Sequence, residues 1–212
     1  MPYQAVVNML KAGSNNVAMA TGDAILTAIH VAGEVDMTSS DRSKVLILET
    51  EEEETDDGST REPRLVWRNL QTKQVEQAYR AADLPALGRA RDLCLTGEML
   101  TLAAERDAET WQHLEHIRVF ARMTPERKER VLLALKETGH FTMMCGDGAN
   151  DVGALKQAHV GIALLSGFKN SNVEKLDAEG KKIVPKDAGM TPQERMAKAK
   201  AEHAKKLKER QV

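Results

Sequence analysis

The 212-residue sequence is poor in aromatic residues, in cysteine and in long apolar runs, and each scarcity excludes a class of protein. Aromatic residues make up 3% of the chain against 42% for all hydrophobic residues, so we predict an aliphatic core that includes some of the ten methionines. Cys94 and Cys145 are far apart, and both lie in apolar, strand-like runs. This predicts two buried core thiols in a reducing compartment, and it argues against a disulfide or a cysteine metal site.

Other absences narrow the function further. No apolar run approaches the roughly 20 residues of a membrane span, and the start of the chain lacks the pattern of a signal peptide. We therefore expect a soluble chain that does not itself insert into a membrane. The net charge of -2 provides no overall field that would attract nucleic acid, so no nucleic-acid partner is expected.

Strand-like and helix-like segments alternate from residue 1 to residue 165, which predicts an α/β fold with a mostly parallel, Rossmann-like sheet covered on both faces. Helical periodicity runs through residues 74–91, and Thr96 and Thr124 are predicted helix N-caps, the second followed by Pro125. A further helix is expected over residues 151–158. The predicted strands are residues 17–20, 45–48, 64–67, 93–95, 117–120, 141–145 and 160–165.

Two charged segments interrupt this pattern. Residues 49–57 are mostly acidic and predict a solvated loop within residues 49–63, because like charges repel and nothing apolar can fold the segment. Residues 166–212 have almost no aliphatic periodicity, and we expect a charged, partly helical connector or tail. The predicted domains are therefore residues 1–165 and 166–212.

The most informative segment is residues 143–152, where an apolar run stops at Gly146-Asp147-Gly148 and a helix-like run starts at Asn150-Asp151. Two carboxylates then lie at a strand end and on the first turn of the next helix, which is where open α/β sheets bind ligands. Such oxygens suit a hard cation such as Mg²⁺ together with phosphate. Taken alone, the segment could also be a simple turn or a partial calcium loop.

Two further segments end strands or open helices with polar residues. Thr21-Gly22-Asp23 follows the first predicted strand, and Lys128 lies on the first turn of the helix opened by Thr124 and Pro125. At the carboxyl edge of a parallel sheet they would join Asp147 in a phosphoryl site, with Thr21, Gly22 and Lys128 on the phosphate and Asp147 on Mg²⁺. The simpler interpretations are a common strand-to-helix turn for residues 21–23 and a solvated helix face for Lys128.

His113 and His116 have the spacing of metal ligands on a helix, but the sequence indicates no third ligand, and surface histidines are the favoured interpretation.

Together these segments resemble the phosphorylation domain of P-type ATPases, within the haloacid-dehalogenase superfamily. The resemblance lies in residues 119–128 (VFARMTPERK) and 144–156 (MCGDGANDVGALK), with support from Thr21-Gly22-Asp23 and residues 92–97. It covers about residues 1–165 and is strongest to the fifth class, in the branch of the endoplasmic reticulum. That branch is implied to translocate or extract transmembrane helices, and earlier labels called it a cation transporter. The alternative is a polyamine- or cation-transporting relative; the sister branch of endolysosomal polyamine transporters usually has Cys where Val152 stands here.

The resemblance implies a role for each matching residue. Thr21 would hold the phosphoryl group with Gly22 beside it, Lys128 would neutralise its charge, and Asn150 would donate a hydrogen bond to it. Asp147 would bind Mg²⁺, Asp151 would orient Lys128 or support the metal, and Asp23 would lie at the hinge-side edge of the site. The implied cofactors are Mg²⁺ and, in the full-length parent, ATP. The parent would reside in the endoplasmic reticulum membrane with this domain facing the cytosol.

The family's acceptor motif, DKTGT, does not occur in these 212 residues, and the usual TGDN or TGDK reads Thr21-Gly22-Asp23-Ala24. The nucleotide-binding, actuator and membrane domains are not represented either. We therefore hypothesise that the chain is a fragment of a pump and is inactive alone. Its sheet would lack the strand that carries the acceptor, and its partner would be the rest of the pump. A soluble haloacid-dehalogenase phosphatase would need an Asp-x-Asp motif, which does not occur. A non-catalytic binding module that uses the acidic loop 49–57 and the basic tail 181–210 is the other alternative.

Overall fold

The computed structural model describes residues 2–52, 63–147 and 149–164. The predicted connector 166–212 and residues 53–62 of the predicted acidic loop lie outside this part. This part contains six α-helices: α1 (Pro2–Ala12), α2 (Ile25–Glu34), α3 (Leu84–Ala90), α4 (Gly97–Arg106), α5 (Pro125–Glu137) and α6 (Val152–Gln157). The strands are β1 (Met19–Ala20), β2 (Val45–Glu51), β3 (Arg64–Asn69), β4 (Val75–Ala78), β5 (Asp92–Thr96), β6 (Ile117–Ala121), β7 (Met143–Gly146) and β8 (Val160–Ala163). In the described ranges, no helix has the length and apolar character needed to cross a membrane.

The strands form two sheets rather than one. Six strands are ordered β1-β6-β5-β2-β3-β4, and β7 pairs separately with β8. The pairs β1–β6, β5–β6, β2–β5 and β7–β8 are parallel, whereas β3 pairs antiparallel with β2 and with β4. The predicted α/β fold with a mostly parallel sheet is therefore confirmed. The division leaves β1 at one edge of the larger sheet.

The larger sheet is buried on both faces. Leu46 and Leu48 of β2 pack into one apolar cluster with residues of α4 and α5, whereas Val45 and Ile47 pack into the other with α2. Alternate residues of a strand point to opposite faces, so a continuous apolar run of this kind suits a strand covered on both sides. Among the described residues, the largest fully buried side chain is Trp67, and Phe120 is buried in the same cluster, so the core is mostly but not entirely aliphatic.

The β7–β8 sheet is far less covered. Its main apolar support is a small cluster of Leu132, Ala154 and Ala158, against which Met144 packs. Cys145 is exposed and not buried as predicted, because its side chain alternates with that of Met144 and so faces away from this cluster. Cys94, on β5 of the larger sheet, is buried as predicted.

The helical prediction for residues 74–91 is wrong at its start, where β4 forms a hairpin with β3. The side-chain oxygen of Asn69 accepts hydrogen bonds from the backbone N–H of Gln71 (2.9 Å) and Thr72 (3.1 Å). The backbone N–H of Asn69 donates to the carbonyl of Gln74 at 2.9 Å. This asparagine-based turn reverses the chain before a helix can start.

The predicted acidic loop is wrong at its first residues, since Glu49 and Glu51 belong to β2. Arg68 lies 3.0 Å from a carboxylate oxygen of Glu49 and 3.1 Å from one of Glu51, and Arg64 lies 2.8 Å from the other oxygen of Glu51. The hydrogen bond from Arg64 is the main reason that the pKa of Glu51 is lowered. Arginines of the neighbouring strand therefore compensate the negative charges of the two carboxylates, so repulsion between the carboxylates does not keep these residues out of the sheet.

Candidate functional site

The Thr21-Gly22-Asp23 turn is fixed by backbone hydrogen bonds to the chain that leaves β6. The N–H of Thr21 donates to the carbonyl of Phe120 (2.9 Å), and the carbonyl of Thr21 accepts from the N–H of Met123 (2.9 Å). The N–H of Arg122 donates to the carbonyl of Asp23 at 3.0 Å. Because β1 and β6 are parallel, these bonds hold both carboxyl ends side by side at the edge of the sheet where ligands bind.

The side chains of this turn bond to one another. The Thr21 hydroxyl donates to a carboxylate oxygen of Asp23 at 2.9 Å and accepts from the Asp23 N–H at 3.2 Å. Gly22 is exposed, and a Cβ added there would find only the carbonyl of Met123, 3.9 Å away. The hydroxyl is therefore held close to a carboxylate, and steric room does not require glycine at position 22.

Lys128 is presented by the first turn of α5. The helix starts as the sequence predicts, with Pro125 in its first turn and the Thr124 hydroxyl oxygen accepting from the N–H of Arg127 at 3.3 Å. The Lys128 ammonium nitrogen lies 2.8 Å from a carboxylate oxygen of Asp151, and both side chains are 11% exposed. A solvated helix face is therefore not the environment of Lys128.

A close backbone approach seats Asp151. It ends a 3-10 turn, Ala149–Asp151, that leads into α6. A Cβ added at Gly146 would lie 2.7 Å from the Asp151 Cβ and 2.8 Å from one of its carboxylate oxygens. Position 146 must therefore be glycine for Asp151 to reach Lys128 unhindered.

Asp147 and Asn150 are both exposed at the end of β7, at the carboxyl edge of its small sheet. Asp151 differs, because it is buried and one of its oxygens is engaged by Lys128. Of the two carboxylates predicted to bind metal, Asp147 is the one whose side chain is open to solvent. One such carboxylate fits Mg²⁺, which commonly uses one or two protein carboxylates with water and phosphate oxygens.

The structure thus brings the predicted residues together in two groups. Thr21, Gly22 and Asp23 are attached to the loop that precedes α5, whereas Lys128 on α5 itself contacts Asp151. Among the described residues, no hydrogen bond joins Thr21 or Asp23 to residues 147 or 149–151. Helix α5 is the element that connects the two groups.

The sequence matches known proteins over about three quarters of its length. The chain is 46% identical to the endoplasmic reticulum transmembrane helix translocase spfA of Aspergillus fumigatus over 162 residues, which cover 76% of this chain and 12% of that protein. It is 39% identical to the endoplasmic reticulum transmembrane helix translocase of Saccharomyces cerevisiae, over 76% of this chain and 13% of that protein.

The chain belongs to the P-type ATPases. It is also 32% identical to the human polyamine-transporting ATPase 13A3, over 76% of this chain and 14% of that protein. It is also 40% identical to the probable manganese-transporting ATPase PDR2 of Arabidopsis thaliana, over 74% of this chain and 12% of that protein. It spans only 12–14% of the length of these relatives.

Two further comparisons give no additional support for the family assignment. No protein-family model matches the chain. A solved catalytic domain of the CPx-ATPase CopB-B is similar at 19% identity over 55% of this chain and 46% of that one, with a TM-score of 0.22, which is too low to assign a fold.

Proposed function

We propose that this chain provides the phosphate- and Mg²⁺-binding half of the aspartyl-phosphorylation site of an ATP-driven pump. The observation that carries the proposal is the largely buried ion pair between Lys128 and Asp151, in which Asp151 follows four residues after the exposed Asp147. An ammonium group held by one carboxylate, with a second, solvent-exposed carboxylate in the same β7–α6 connection, suits a phosphate that shares a metal ion with the protein.

Each side chain would make one contact with the phosphoryl group or its ion. The Thr21 hydroxyl would exchange its bond to Asp23 for a phosphate oxygen, with the Gly22 backbone alongside. Lys128 would supply positive charge while Asp151 holds its ammonium in place. Asn150 would donate from its amide, and Asp147 would hold Mg²⁺, which supplies charge neutralisation when bound.

We assign the parent to helix translocation or extraction at the endoplasmic reticulum membrane. Supporting this, the identity is 46% and 39% to two helix translocases and 32% to a polyamine transporter, although it is 40% to a probable manganese-transporting ATPase. The site would face the cytosol, and the partners would be membrane, actuator and nucleotide-binding domains. Residues 1–165 would then be part of the phosphorylation domain, and residues 166–212 a connector.

The acceptor aspartate must come from outside this sequence, because the DKTGT motif does not occur in it. The division into two sheets supports this view. A parallel strand placed between β1 and β7 would join the six-stranded sheet to the β7–β8 pair and bring the acceptor between Thr21 and Asp147. Without that strand, a covalent aspartyl phosphate has no place to form.

The first test is a titration of the ¹⁵N-labelled chain with Mg²⁺ and inorganic phosphate, followed by amide NMR. We expect shifts confined to the amides of residues 21–23, residues 146–151 and the first turn of α5. Asp147→Asn should abolish the Mg²⁺ shifts, whereas Asp83→Asn, a charge-matched change elsewhere, should leave them intact. Shifts that survive Asp147→Asn, or that scatter over the surface, would contradict the proposed metal ligand.

The second test is incubation with radiolabelled ATP and Mg²⁺, followed by acid quenching and detection of bound phosphate. We expect no acid-stable, hydroxylamine-sensitive label on the chain alone. A labelled aspartate within these 212 residues would overturn the view that the acceptor lies elsewhere.

A further inference from the structure

A second group of polar side chains lies outside the phosphoryl site, around the 3-10 turn Leu114–His116 that precedes β6. One ligand atom each from His113, Glu115 and His116 lie within 4.8 Å of one another, and all three side chains are partly buried. The histidines are three residues apart, and a 3-10 turn places residues i and i+3 on the same side. Glu115 is the third ligand that the histidine spacing alone did not reveal.

The turn is anchored firmly. Leu114 and Ile117 are each 1% exposed and belong to the main core cluster. His116 packs closely against α3, where a Cβ added at Gly88 would lie 2.8 Å from the His116 Cβ. These contacts fix the backbone of all three candidate ligands, so little ordering is required before they can share an ion.

Glu115 has one satisfied oxygen and one unsatisfied oxygen. Its Oε1 lies 3.1 Å from His116 Nε2. Its Oε2 is buried, and no hydrogen bond from the described residues reaches it. The pair between Glu115 and His116 accounts for Oε1, but it leaves Oε2 with a long contact of 3.8 Å to His140 Nε2 and does not explain the approach of His113. A buried polar atom without a partner calls for an explanation such as a bound ion.

A fourth group lies nearby on another element. His140 follows the end of α5, and its Nε2 is 3.8 Å from Glu115 Oε2. Tetrahedral coordination with bonds of about 2.0–2.1 Å separates ligand atoms by about 3.3 Å. The Glu115–His116 separation already matches this distance, whereas the other separations within the group of three, which reach at most 4.8 Å, would contract by up to about 1.5 Å. His140 lies outside that group and would have to move towards it. His140 is exposed enough to rotate into place.

We propose that His113, Glu115 and His116 bind a divalent transition-metal ion of the zinc type, with His140 as the fourth ligand. Imidazole nitrogens with a carboxylate oxygen are a donor set that Zn²⁺ prefers and Mg²⁺ does not. The ion would tie the turn before β6 to the segment after α5. It would therefore fix the C-terminal end of the helix whose first turn carries Lys128.

The test uses the 212-residue chain and Zn²⁺ in competition with a chromophoric chelator. We expect one tight site, and His113→Ala and Glu115→Gln should each weaken it by more than about tenfold, as loss of even an outer-shell partner does. His30→Ala on α2, an exposed histidine outside the cluster, is the matched control and should leave the affinity unchanged. Circular dichroism of each variant shows whether it folds. His116 is kept, because it packs against Gly88.

Co²⁺ substitution gives a second readout that does not depend on stability. The wild-type chain should show the intense visible bands of tetrahedral cobalt, and His140→Ala should change them while retaining binding. Zinc affinity that is the same in His113→Ala, Glu115→Gln and the control, or a purely octahedral cobalt spectrum, would overturn the proposal. None of these residues belongs to the phosphoryl site, so this test can fail while the Mg²⁺ titration succeeds.

Discussion

Replacing Lys128 by methionine and Asp151 by asparagine, singly and together, measures how strongly the buried pair holds the candidate site. Methionine keeps most of the length of lysine, and asparagine keeps the shape of aspartate. Each single change therefore leaves one buried charge without its partner, while the double change removes both charges.

The structure sets the expected magnitude. At 2.8 Å the attraction is about 6 kcal/mol for an effective dielectric constant near 20, before the cost of removing both charges from water is subtracted. Breaking a buried pair from one side costs about 3–5 kcal/mol. We expect each single variant near the lower end of that range, since both side chains retain 11% exposure. The double variant should cost less than the sum, with a coupling of at least about 2 kcal/mol.

The assay is native-state hydrogen exchange of amides in β7 and α6, which reports the free energy of opening where the pair lies. Urea unfolding of the same variants provides the global value. The control is the same cycle on Arg130 and Glu137, an ion pair on α5 with 3.1 Å separation and side chains 41% and 55% exposed. Its coupling should stay below about 1 kcal/mol, because solvent screens exposed pairs.

The comparison between the two cycles decides the outcome. If the Lys128–Asp151 coupling is no larger than that of the exposed pair, then burial does not strengthen the contact. The reasoning that places a preorganised ammonium group at the phosphate position would then be refuted.

Two further predictions concern packing and thiol chemistry. Gly146→Ala should displace Asp151 and destabilise the β7–α6 region by about 1–3 kcal/mol, as overpacking does. Gly22→Ala, where a methyl group has open space, should cost less than about 1 kcal/mol. Hydrogen exchange measures both changes, and equal costs would contradict the close approach of Gly146 to Asp151. In the native chain Cys145 should react with a thiol reagent and Cys94 should not, because burial raises the pKa of Cys94 and excludes the reagent. Mass spectrometry should find one modified cysteine before denaturation and two after it. Rapid labelling of Cys94 in the native chain would show that β5 is not packed as described.

Local patterns in the sequence predict those elements whose cause is local. The apolar run 45–48 indicates a buried strand, and Thr124 with Pro125 indicates the start of α5; both are observed. The helical prediction failed at residues 75–78, where the Asn69 side chain bonds to the backbone of a turn and converts the segment to a strand. Periodicity over so short a segment cannot register a turn formed by one upstream side chain.

Features that depend on contacts between residues far apart in the sequence are harder to predict from local patterns. The exposure of Cys145 follows from which face of β7 is covered, and the run of apolar residues around it gives no information on that. The motif residues place Lys128 and Asp151 at the same edge of the fold, but only the packing of α5 on α6 gives their 2.8 Å separation. His113 and His116 were visible as a pair, and Glu115 was overlooked because α-helical spacing does not place it beside them.

The separation of β7 and β8 from the larger sheet also affects the fraction of time for which the candidate site is formed. A two-stranded sheet is marginally stable by itself, and the cluster of Leu132, Ala154 and Ala158 is a small support. The segment that carries Asp147 should therefore open and close as a unit of its own, at a lower free energy than the six-stranded sheet. Any polypeptide strand that paired with the edge of β7 would then do more than contribute an acceptor residue. It would raise the fraction of time for which the existing carboxylates are held in position.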